Sequence, residues 1–74
     1  MAQMNAGKLI KLLRERAGLS QKQFAIKINS TQGTVSQWER NGALKATDLE
    51  RCLNGLGYEL VARKIRKEDT NDNA

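Results

Sequence analysis

Stop signals divide this chain before any other feature acts on it. Gly18, Asn29, the Asn41-Gly42 pair and Gly57 each fall just past a short apolar-periodic stretch. A glycine or asparagine there takes the left-handed conformation that ends a helix. Pieces this short do not stay helical in isolation. The chain must therefore fold as several short helices held by shared packing. With 74 residues there is room for one core.

The first piece, AGKLIKLLRERAG, has Leu9, Leu13 and Ala17 at i, i+4 and i+8, with Ile10 and Leu12 beside them. Asn5 is placed to cap it. Ser20 followed by Gln23 is a capping box and starts a second helix, with Phe24, Ala25 and Ile28 as its apolar face. Asn29 suits a tight turn. Thr31 caps a third helix, Gln32 to Arg40, with Val35 and Trp38 on its buried side. Its other side is polar: Gln32, Gly33, Thr34, Ser36, Gln37 and Arg40. Thr47 and Glu50 read as a second capping box, with Asp48 and Glu50 in the first turn of a fourth helix. Leu49, Cys52, Leu53 and Leu56 form its apolar face, and Gly57 ends it. Tyr58 to Ile65 has no cap and carries β-formers at Tyr58, Val61 and Ile65, so it reads as a strand. The competing reading is a helix that continues past Gly57.

Composition excludes several chemistries. The chain has no His, no Pro and one Cys, Cys52. A zinc site, a Ser-His-Asp triad and a Cys-His pair all lack their ligands or bases, and no intramolecular disulfide can form. No helix spacing gathers carboxylates for a nuclease metal, so no enzyme and no cofactor is expected. No apolar run approaches the ~20 residues of a membrane span, and Met1 to Gly7 lacks the apolar stretch of a signal peptide. A cytoplasmic location is expected.

Residues 1–67 hold all 13 basic residues and five acidic ones, a body at +8, while the polar tail adds three negative charges. Such a body favours a polyanion, with duplex DNA ahead of RNA, since the single Phe, Trp and Tyr offer no base-stacking platform. Two short helices joined by a tight turn at Asn29 and Ser30 have helix-turn-helix spacing. The polar face of the second is narrow enough for a major groove, where Gln pairs with adenine.

The runs Gly-Leu-Ser-Gln-Lys-Gln-Phe-Ala (18–25) and Thr-Gln-Gly-Thr-Val-Ser-Gln-Trp-Glu (31–39), closed by Asn41-Gly42, resemble the phage repressor and Cro group, the XRE family. The resemblance covers about residues 5–57. It implies a lambda-repressor-like, all-α bundle of helices that binds operator DNA, usually as a repressing dimer. It places Gln32 and Gln37 where bases are read and Gln21 where a backbone phosphate is bound. Thr31 and Ser36 flank that face, and Arg14 and Glu39 match a pair bridging helix one to the recognition helix. Lys22, Arg40 and Lys45 are the further phosphate candidates. The chain departs from the pattern at Asn29, in place of a turn glycine, at Ser30, in place of a small apolar residue, and at Gly33, where a base-reading side chain is common.

The expected organisation is a four-helix DNA-binding domain over 1–57, a dimerisation strand over 58–66 and a disordered polar tail over 67–74. In the strand, Tyr58, Leu60 and Ala62 face the helices of one or both subunits, while Val61 and Ile65 also meet a second copy. The partners expected are duplex DNA and a second copy of the chain. The rival partner is a toxin protein, as for antitoxins of this fold that end in a dimerising strand.

Overall fold

The computed structural model describes residues 4–64. Four helices follow one another: α1 (Ala6–Arg16), α2 (Gln21–Lys27), α3 (Gln32–Asn41) and α4 (Ala46–Gly55). The sequence signals for the starts of α1, α2 and α3 act as expected. Asn5 Oδ1 accepts from the Lys8 amide at 2.9 Å and caps α1. The Ser20–Gln23 capping box closes in both directions, at 3.0 and 2.8 Å. Thr31 Oγ1 accepts from the Thr34 amide at 3.2 Å and caps α3.

Three of the helices end in the same way. Gly18, Asn29 and Gly57 have positive φ, and the next amide in each case reaches back to a carbonyl five residues earlier. Those bonds run from Leu19 to Arg14, Ser30 to Ala25 and Tyr58 to Leu53, at 3.2, 2.7 and 2.8 Å. This double-bonded ending satisfies carbonyls that the helix would otherwise leave free. Asn29 adopts the conformation that a turn glycine would provide, with φ of 60°.

The core joins all four helices: Ile10 from α1, Phe24, Ala25 and Ile28 at α2, Val35 from α3, and Cys52 and Leu53 from α4. Trp38 packs against it, as its spacing from Val35 requires, together with Leu9, Leu13, Leu19, Leu44, Leu49 and Leu56. Close backbone approach fixes two of the junctions. A Cβ on Gly7 would collide with the Trp38 carbonyl and lie 2.6 Å from Gly42 Cα. The Gly7 amide donates to the Gly42 carbonyl at 3.2 Å, which docks the start of α1 on the end of α3. A Cβ on Gly55 would sit 2.5 Å from Ile28 Cγ2, so α4 meets the end of α2 only because that side chain is absent.

Three expectations need correction. In α1 the buried line is Gly7, Ile10 and Arg14, not one through Ala17, which is exposed, as is Leu12. Docking at Gly7 and pairing at Arg14 rotate the helix toward that line, leaving Leu9 and Leu13 at its flanks. Thr47 does not cap α4. The Lys45 carbonyl already accepts from the Leu49 amide at 2.9 Å, so the helix begins at Ala46 with Lys45 as its cap residue and no side-chain cap bond. Thr47 then lies inside the first turn, and only Asp48 remains there as an acidic residue.

The third correction concerns the segment after Gly57. Residues 58–64 form neither a strand nor a continued helix, and Ile65 lies outside the described residues. A strand exists only as part of a ladder, and the described residues offer it no second edge. Tyr58, Leu60 and Ala62 are exposed and do not pack on the helices of their own chain, and Val61 is exposed as well.

Cys52 is wholly buried, and desolvation pushes its thiol up to about 11. The reactive species is the thiolate, so at pH 8 the native protein should resist a disulfide reagent. Labelling in rising urea should follow the unfolding transition, and immediate stoichiometric labelling in buffer would contradict this packing.

Candidate nucleic-acid interface

The polar face expected on the third helix is on the surface. Gln32, Gly33 and Gln37 are exposed on α3, with Thr31 exposed at its cap and Arg40 near its end, while Thr34 and Ser36 are half-buried beside them. Val35 is the helix's fully buried anchor. Gly33 has no packing role: a Cβ there meets nothing within 4 Å, and nothing in the structure explains the absence of a side chain. Part of this face is already bonded within the helix. The Thr31 hydroxyl donates to Thr34 Oγ1 at 2.9 Å, and Arg40 Nη1 donates to Ser36 Oγ at 3.3 Å. Gln32 and Gln37 form no side-chain hydrogen bond among the described residues, so their amides are free to meet a partner.

The orientation of this helix depends on Arg14. Its Nε donates to Glu39 Oε2 at 2.7 Å and its Nη2 to Glu39 Oε1 at 3.0 Å, a forked pair between α1 and α3. Its Nη1 donates to the Leu19 carbonyl at 2.8 Å, fastening the turn into α2. The side chains are 9% and 4% exposed, so the pair is buried. The hydrogen bond to Glu39 raises the Arg14 pKa despite the opposing effect of burial, and the arginine stays charged. Gln21 joins the same network, its Nε2 donating to Glu39 Oε1 at 3.1 Å. A carboxylate oxygen therefore links the first residue of α2 to the end of α3.

The remaining basic candidates are more dispersed. Lys22 is exposed on α2 and Lys45 is exposed before α4. Lys11, which taken singly is expected to be a solvated lysine, lies with Gln21, Ser36, Glu39 and Arg40 around one surface cleft. No local signal marks it, because the cleft is formed by residues far apart in the chain.

A family model described as helix-turn-helix matches residues 10–62. The chain belongs to the XRE-type helix-turn-helix family. Members of this family are DNA-binding transcription regulators, and the match spans α2, α3 and the turn between them. No curated protein matches the chain. Among the described residues there is no group of acidic and cysteine side chains that could hold a metal ion, and no helix is long and apolar enough to cross a membrane.

Because the Arg14–Glu39 pair is buried, removing one partner strands the other. Arg14→Met or Glu39→Met should each cost ~3–5 kcal/mol in urea unfolding. The double variant should lose much less than the sum, and strict additivity would mean that the two side chains do not interact.

Proposed function

We propose that this protein is a sequence-specific duplex DNA-binding repressor that acts as a homodimer on a palindromic operator. The observation that carries the reading is the exposed pair Gln32 and Gln37 on a helix held in place by a buried ion pair. A glutamine amide offers a donor and an acceptor side by side, matching adenine N6 and N7 in the major groove. Rigid mounting matters because a loosely held side chain pays ordering entropy on binding. Thr31, Thr34 and Ser36 flank the glutamines, and Gly33 leaves the helix backbone open to close approach. Lys22, Arg40 and Lys45 supply charge for phosphates, and Gln21 presents a second amide proton to the backbone.

The dimer rests on the segment after α4. Tyr58, Leu60 and Val61 are 47%, 42% and 64% exposed. An exposed apolar strip whose backbone forms no ladder among the described residues has both of its needs met by the same strip of a second copy. Antiparallel pairing over Tyr58–Ile65, with Ala62 and Ile65 completing the contact, is self-complementary. A two-fold dimer then places two recognition helices in successive major grooves ~34 Å apart. Repression follows by occlusion of the promoter. The same strip fits a protein partner, and a different protein co-purifying at equal stoichiometry would redirect the reading to an antitoxin.

Two measurements test these assignments. Gln32→Ala should cost ~1–3 kcal/mol on the preferred duplex and relax selectivity at one position per half-site. Gln21→Ala should weaken selected and random duplexes, because a phosphate carries no base identity, and urea unfolding reads separately the loss of its bond to Glu39. Equal affinity of Gln32→Ala and the parent for both selected and random DNA would make Gln32 a bystander. In sedimentation at tens of micromolar, the intact chain should run as a dimer and Leu60→Asp as a monomer with most operator affinity lost. A monomeric parent near 8.3 kDa would rule out the strand-paired dimer.

A further inference from the structure

Five of the six glycines have a structural task. Gly18, Gly42 and Gly57 adopt positive φ, and Gly7, Gly42 and Gly55 let a neighbour approach where a Cβ would collide. Gly33 has neither task. It lies inside α3 without a positive φ, and a Cβ there would meet nothing within 4 Å. Glycine inside a helix is less stable than alanine. The fold gains nothing from this glycine, and what remains is the surface that it shapes.

That surface is the polar face of α3. Gly33 follows Gln32 and lies one turn before Gln37, and all three are exposed. Helical side chains lean toward the N-terminus, so Gln37 reaches back over the turn that holds Gly33. The Gly33 Cα therefore floors a notch flanked by two glutamine side chains. No charged side chain lies on α3 before Glu39, so the notch suits an apolar knob and not a phosphate. Among the groups that base edges present in the major groove, the apolar one is the C5-methyl of thymine. A methyl touching Cα stands ~3.5–4.0 Å from it. An alanine Cβ, ~1.5 Å out along the same line, would leave that methyl too little room.

We propose that Gly33 seats the C5-methyl group of a thymine between Gln32 and Gln37, so that the missing side chain is itself a specificity determinant. The inference rests on the duplex-binding reading and adds a base to it, a thymine beside the adenines that the glutamine amides suit. Restoring a side chain at this position closes the notch and removes the preference, while the helix itself becomes more stable.

The test is binding of the full chain to its preferred duplex, selected from random sequence, with each thymine replaced in turn by deoxyuridine. Uracil keeps the O4 acceptor and lacks only the methyl group. At one position the parent should lose about fourfold in affinity, the transfer free energy of one methyl. Gly33→Ala should bind the thymine duplex more weakly than the parent does, and the loss on going to uracil at that position should vanish. A uracil loss that is the same in both proteins at every position would put the methyl elsewhere on the face. Equal binding of the parent to every uracil duplex would mean that no methyl is read; either result overturns the seat. Gly33→Ala should also melt about 2–8 °C higher, which separates a blocked notch from a lost fold. A lower melting temperature would make the glycine structural and overturn the proposal. A parent protein that retains no duplex at low salt, or retains all sequences equally, fails the DNA-reading proposal itself, before any uracil duplex is compared.

Discussion

One buried ion pair governs the geometry of this domain. Arg14 and Glu39 come from the two helices that must stay in fixed register, and both side chains are almost out of contact with water. Desolvating two charges is costly, and the cost is offset only where the remaining donors and acceptors are satisfied. Here Arg14 donates to both oxygens of Glu39 and to the Leu19 carbonyl, and Gln21 completes the carboxylate. Among the described residues no buried side-chain polar atom lacks a partner. The cluster thus ties the end of α1, the turn that follows it, the start of α2 and the end of α3 to a single carboxylate. The exposed side of α3 can consist of small and polar groups because its hold on the domain comes from Val35, Trp38 and this pair.

The second constraint is how little chain there is. Four short helices leave many end groups to satisfy, and an apolar core of seven buried residues among those described leaves little margin. Side-chain caps at Asn5, Ser20 and Thr31 and left-handed endings at Gly18, Asn29 and Gly57 deal with those groups locally. Glycine is used differently at Gly7 and Gly55, where absent side chains let neighbouring elements approach. The absence at Gly33 follows neither rule. It lies on the outer face, where the fold demands nothing of it.

Local chemistry was the legible part of this chain. Asn5, the Ser20–Gln23 box, Thr31, Gly18 and Asn29 all act at the ends where their side chains or backbones point, because a cap involves residues within one turn. The Thr47–Glu50 pattern has the same composition and failed. Whether a capping pattern is used depends on where the helix starts, and α4 starts at Ala46. Helix periodicity located α1 but not its rotation. Leu9, Leu13 and Ala17 form a plausible face by hydropathy alone, yet the side chain that goes inward is Arg14, whose partner is 25 residues away. In the candidate interface, the exposure of Gln32 and Gln37 was readable from the apolar spacing of Val35 and Trp38. The place of Lys11 beside Arg40 was not, since the cleft they line is walled by three separate helices.

The sequence by itself determined the number of helices, most of their ends and the division of α3 into a packed side and a polar side. These depend on backbone conformation and on side chains within a few positions, so a linear reading reaches them. Tertiary structure decided which line of α1 is buried, that Glu39 gathers Arg14 and Gln21 around one carboxylate, and that Lys11 and Arg40 share a cleft. Those outcomes depend on the distance between residues far apart in the chain, which no local signal encodes. For residues 58–64 the alternating apolar pattern is suited to a ladder, and a ladder needs an edge that the described residues do not supply.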